Sequence, residues 1–92
     1  MSDAEETRRK RLLFRSWHRG TKETDLLLGT FAERHLARFD PAQLGDYEAI
    51  LEATDAELWD WLIHRRPVPA ERDTPIMRLL LAHQLTPDLR SL

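Results

Sequence analysis

No cysteine occurs anywhere in these 92 residues. That removes disulfide frameworks, thiolate zinc sites and thiol nucleophiles together. Glycine is nearly as scarce, and three glycines cannot build a Gly-x-Gly-x-x-Gly or P-loop cradle around a phosphate. No apolar run is longer than Leu79-Leu80-Leu81-Ala82, far short of the ~20 residues that span a bilayer. The N-terminus carries Asp3, Glu5 and Glu6 with no apolar core behind them, so neither a secretory signal nor a mitochondrial transit peptide is expected. An excess of positive charge is missing too. The net charge of −2 provides no global field for nucleic acid.

What is present suits one small folded unit. An apolar fraction of 41% can form a core, and a charged fraction of 33% keeps the exterior solvated. A single domain over 1–92 is expected, with its core at about 8–85 and short frayed ends. No stretch alternates with period two, whereas helical spacing and cap signals recur. The first helix should run from about Asp3 to His18 and stop before Gly20, with acids at its start and bases toward its end. Leu13 and Trp17 form its expected apolar stripe. The second begins near Thr21–Thr24 and is expected to reach Phe39, burying Leu28, Phe31, Ala32, His35, Leu36 and Phe39. Gly29 inside it costs about 1 kcal/mol relative to Ala, which points to close helix packing or a kink. Asp40-Pro41-Ala42-Gln43 and Thr54-Asp55-Ala56-Glu57 are two capping boxes. They open helices that turn Leu44, Tyr47, Ile50 and Leu51, then Leu58, Trp61 and Leu62, inward. After a Pro-rich loop, the last helix starts within Ala70–Pro75 and ends at His83 or Leu85, with fraying after Thr86-Pro87. The expected fold is all-α, a compact bundle of about five short antiparallel helices.

Enzyme chemistry has little to stand on. His18, His35, His64 and His83 lack metal-ligand spacing, and His35 reads as a satisfied, partly buried imidazole. No catalytic, metal or cofactor-binding residue is assigned, and the chain is not expected to be an enzyme. Arg8-Arg9-Lys10-Arg11 reads as a solvated face paired with Glu5 and Glu6, or as an attraction for an acidic partner. Trp59 and Trp61 are two apart and cannot share one helix face. Trp61 is core, and Trp59 is either an exposed anchor or packed beneath a loop. Arg19-Gly20-Thr21-Lys22-Glu23, followed by Asp25, places dense charge around a helix-ending glycine. It reads either as a junction in which Arg19 and Glu23 pair, or as a surface whose Arg19 is offered to a partner's carboxylate or carbonyl.

Arg19-Gly20-x-x-Glu23-x-Asp25, then Leu27-Leu28-x-x-Phe31, resembles the signature of the succinate dehydrogenase assembly factor 2 family, called SdhE in bacteria. The similarity continues through Tyr47, Leu51-Glu52 and Asp55-x-x-Leu58-x-x-Trp61-Leu62, and covers roughly residues 8–83. It implies a five-helix FAD assembly factor that binds the flavoprotein subunit of succinate dehydrogenase, and in some bacteria that of fumarate reductase. Such a factor promotes covalent attachment of FAD to the client as a chaperone. By this resemblance FAD belongs to the client and no cofactor is held stably by this chain. Arg19, Gly20 and Glu23 are the implied partner-binding residues, flanked by Arg15, His18 and Asp25, while Lys22 and Thr24 carry no assigned role. A cytoplasmic bacterial protein, monomeric when free, is expected, without nucleic acid and without membrane insertion. Two other readings stand beside it: an antitoxin-like adaptor that masks a partner, and a bundle that dimerises through Trp59.

Overall fold

The computed structural model describes residues 3–84. Over that range the chain forms α1 (Asp3–Trp17), α2 (Lys22–His35), α3 (Pro41–Leu51), α4 (Asp55–Leu62) and α5 (Pro75–Gln84), and no strand. Short 3-10 turns occupy Leu36–Arg38 and Ala70–Arg72. The all-α, five-helix expectation is what forms. The expected fraying after Thr86-Pro87 and the reach to Leu85 lie outside the described residues.

Local chemistry explains each boundary. At α3 the Asp40 carboxylate accepts from the Gln43 backbone N–H at 2.8 Å, and the Gln43 side chain accepts from the Asp40 N–H at 2.9 Å. Thr54 and Glu57 make the same reciprocal pair for α4, at 3.1 and 2.9 Å. Each box satisfies two amide donors that the helix geometry leaves open. Thr74 caps α5 by accepting from the Met77 N–H. The end of α4 is a Schellman closure, with Arg65 N–H donating to the Asp60 carbonyl and His64 N–H to that of Trp61. His64 takes the left-handed position there at φ 61°, where Gly is the usual occupant.

The core joins all five helices through Leu12, Phe31, Leu44, Tyr47, Leu58, Ile76 and Leu80, all essentially inaccessible. The inward residues expected on α3 and α4 are buried as read. Two expectations need correction. The second α-helix stops at His35 and tightens into a 3-10 turn, where Arg9 takes the carbonyl of Leu36 at 3.0 Å and that of Phe39, just past the turn, at 2.7 Å. On α1 the buried seam is Leu12 and Ser16, with Leu13 and Trp17 only half-buried. A buried serine hides that seam from a hydrophobicity pattern, but its hydroxyl is satisfied. Ser16 Oγ–H donates to the Leu12 carbonyl at 2.7 Å, and the Ser16 and Tyr47 hydroxyls share a hydrogen bond at 2.6 Å. Burial pushes the Tyr47 phenol up to about 12, with the Ser16 hydrogen bond opposing the rise.

Gly29 has the role of close approach. The Trp17 indole lies against its backbone, so a Cβ at this position would overlap the ring. Trp17 Nε1–H donates to Glu33 at 3.1 Å, which fixes the ring in place.

Candidate functional site

All six residues singled out at the turn lie where α1 hands over to α2, and they divide into an inner and an outer set. Asp25, in the first turn of α2, accepts the Arg19 N–H at 2.6 Å and the Gly20 N–H at 3.3 Å. That carboxylate holds the turn closed and sits favourably at the positive end of α2. Gly20 lies at φ 123°, a conformation that a Cβ makes strained. No atom comes within 4 Å of where a Cβ would stand. Its glycine is therefore required by the backbone, and the space above it is open.

Arg19 belongs to the inner set. Its Nη1–H donates to the Leu51 carbonyl and its Nη2–H to the Ala53 carbonyl, both at 2.6 Å, while Nε–H donates to Asp55 at 3.1 Å. Its side chain is 14% exposed. The guanidinium thus closes the end of α3, where no basic residue of α3 itself stands in the last turn, and ties it to the first turn of α4. Arg72 adds a bond to the Ala49 carbonyl at 2.8 Å, and Arg15 pairs with Glu52 at 3.2 Å. Cations from three other segments thereby meet the negative end of the α3 dipole. The pairing of Arg19 with Glu23 considered from sequence is replaced by pairing with Asp55. Linear order cannot reveal that Asp55 and two carbonyls lie opposite the turn.

The outer set is His18, Glu23 and part of Arg15. Glu23 is exposed and makes no ion pair or hydrogen bond among the described residues. His18 Nδ1 meets the Phe14 carbonyl at 2.7 Å, and its ring stacks on Phe14 at 3.9 Å between centroids. An open groove of about 620 Å³ runs along Trp17, His18, Gly20, Lys22 and Leu26. On the other flank of His18 a smaller groove of about 200 Å³ is lined by Phe14, Arg15 and Arg19. Phe14 at 63% and Leu26 at 50% exposure bracket this surface, and neither was singled out from sequence.

The remaining candidates resolve differently. Trp59 is half-buried against the core, and its Nε1–H donates to Thr24 Oγ1 at 2.9 Å. Thr24 is itself fully buried and accepts from the Thr21 hydroxyl. The packed alternative for Trp59 is therefore the one that forms. The solvated reading of the basic cluster holds for Lys10 and Arg11 only. Arg8 forks onto Glu48 with two 3.0 Å bonds, holding that carboxyl below its usual range, and Arg9 reaches the 3-10 turn after α2. Of the expected ion pairs, Glu5–Arg9 forms at 3.7 Å. His35 is half-buried among the rings of Phe31, Phe39 and His83, and burial followed by Arg34 and Arg38 lowers its pKa. Among the described residues no group of three or more His, Asp or Glu is placed to hold a metal ion. Among the described residues no helix is long and apolar enough to cross a membrane.

These features define a class: a small helical bundle whose charged interhelical turn is fixed from beneath by an arginine and open from above. Residues 10–84 match a family model described as flavinator of succinate dehydrogenase, and the chain belongs to that family. The FAD assembly factor SdhE of Acetobacter pasteurianus is 49% identical over 74 residues, covering 80% of this chain and 68% of the relative. Mitochondrial relatives include succinate dehydrogenase assembly factor 2-A of Drosophila yakuba, 44% identical over 80 residues, and assembly factor 2 of Dictyostelium discoideum, 37% identical over 75. Those matches take in 85% and 82% of this chain but only 49% and 53% of the relatives' own lengths.

Proposed function

We propose that this chain is an FAD assembly factor, which binds the flavoprotein subunit of succinate dehydrogenase and promotes covalent attachment of FAD to it. The observation that carries this reading is the family match across 10–84, together with the bacterial relative named as an FAD assembly factor. The role is that of a chaperone acting on the client's conformation. The fumarate reductase flavoprotein is a second client in the same proposal. The setting is the bacterial cytoplasm, and the free protein is a single-domain monomer.

The contact is assigned to the α1–α2 turn, with Gly20, Glu23, His18 and Arg15 toward the client and Arg19 and Asp25 shaping the turn from within. Docking accelerates attachment only if the turn binds the client better in the arrangement that aligns its target side chain with the flavin. The flavin is the client's in this reading. Gly20 lies in the turn, Gly29 under Trp17 and Gly45 beside Arg8, so the glycines form no common cradle for a pyrophosphate.

The test is made in cells deleted for this chain. Covalent flavin on the succinate dehydrogenase flavoprotein is read by in-gel fluorescence after adding back wild type or Gly20→Arg. Wild type is expected to restore the signal and a folded Gly20→Arg to leave it low. A deletion strain with undiminished fluorescence would remove the proposal.

A further inference from the structure

Phe14 has no packing reason to be where it is. At 100° per residue, it projects roughly 180° from the Leu12 and Ser16 seam that buries α1. It is 63% exposed, while every other Phe, Tyr or Trp of the chain is buried or half-buried. Its ring is nevertheless held, by stacking against His18 one turn later. Because His18 is itself anchored to the Phe14 carbonyl, the two rings form a pre-ordered plate with little rotamer freedom left to lose on binding. The plate continues the turn surface, since His18 walls both grooves and the larger one ends at exposed Leu26.

The charges around the plate indicate what it meets. Lys10 and Arg11 are exposed one turn before Phe14 and flank it, at i−4 and i−3 on the same helix face. Lys22 adds positive charge at the edge, while Arg15 is paired with Glu52. Of the acids nearest in sequence, Glu5 pairs with Arg9, and Glu6 lies a turn before Lys10, two turns from Phe14; Asp25 holds the turn and Glu23 stands beyond Gly20. On a chain with net charge −2, this face is locally cationic around an aromatic centre. Aromatic anchors rimmed by charge are the arrangement that concentrates binding energy at protein interfaces.

We propose that the Phe14–His18 plate, rimmed by Lys10 and Arg11, is the principal anchor of the docking surface and enters an apolar, carboxylate-rimmed pocket on the client flavoprotein. This rests on the assembly-factor reading and adds to it residues of α1 that precede the charged turn. The arginine of the turn then acts as a positioning residue, and the binding energy is concentrated on the plate.

Calorimetric titration of the purified flavin-free flavoprotein subunit with wild type, Phe14→Ala, Arg11→Glu and Ile63→Ala tests it. Ile63 is a comparably exposed apolar residue, 48% accessible, at the far end of α4. Phe14→Ala is expected to weaken binding at least about tenfold with an unchanged melting temperature, since nothing in the fold rests on that ring. Arg11→Glu should weaken it and flatten its salt dependence, and Ile63→Ala should match wild type. Equal binding by Phe14→Ala and wild type overturns the anchor while leaving the assembly role standing. Equal losses in Phe14→Ala and Ile63→Ala overturn it as well, since the contact is then non-specific. No binding by wild type overturns the assembly-factor reading and the anchor together.

Discussion

Arg19 shows how one side chain can stabilise the fold while a surface turn depends on it. Three of its nitrogen atoms donate to Leu51, Ala53 and Asp55, and a guanidinium fork is suited to serving divergent acceptors from one position. Arg19→Ala leaves two carbonyls and a carboxylate without their donor in a partly buried setting, a loss of about 3 kcal/mol in urea unfolding. Arg19→Lys keeps the charge but cannot fork, and should recover less than half of that loss. A flavinylation defect in Arg19→Ala is accordingly expected to be relieved at lower temperature, where more of the chain is folded. A defect in Phe14→Ala has no stability component and is expected to persist.

At the scale of elements, α1 packs closely on α2 where Trp17 lies over Gly29. Ala has the better helix propensity by about 1 kcal/mol, yet Gly29→Ala should destabilise by about 1–2 kcal/mol, because the indole must leave its seat and its bond to Glu33. In a Trp17→Ala background the same substitution should become stabilising by about 1 kcal/mol. That sign reversal in a double-mutant cycle identifies the overlap as the cause. The helices that announce themselves locally were legible: both capping boxes and the inward faces of α3 and α4 follow from residues a few positions apart. Gly29 was legible as a close approach, though not what approaches it. The face of α1 was misread because its buried seam includes Ser16, whose partner Tyr47 is 31 positions away. For the same reason Arg8 and Arg9 looked solvated and Arg19 looked available: each finds acceptors 27 to 40 residues distant. Phe14 went unnoticed because an exposed aromatic is informative only after the seam opposite it has been located.

For the whole molecule, the Tyr47–Ser16 bond stands where α1 and α3 meet, and its ionisation reports on the assembled core. The folded chain holds the phenol at about 12 against the ordinary 10.0. Stability is therefore complete below pH ~10 and falls as pH rises from there toward ~12, by about 1.4 kcal/mol per pH unit. The chain has a single tyrosine, so phenolate absorbance against pH should give one late transition that coincides with loss of helical circular dichroism. Titration at the ordinary tyrosine value with the helices intact would contradict this. The central claim concerns what the assembled surface does to another protein, and purified components test it most directly. Flavin-free succinate dehydrogenase flavoprotein is incubated with FAD, with or without this chain, and covalent flavin is followed in time by in-gel fluorescence. Wild type is predicted to accelerate attachment and folded Gly20→Arg to leave it at the unassisted rate, whereas identical time courses with and without wild type would contradict the account.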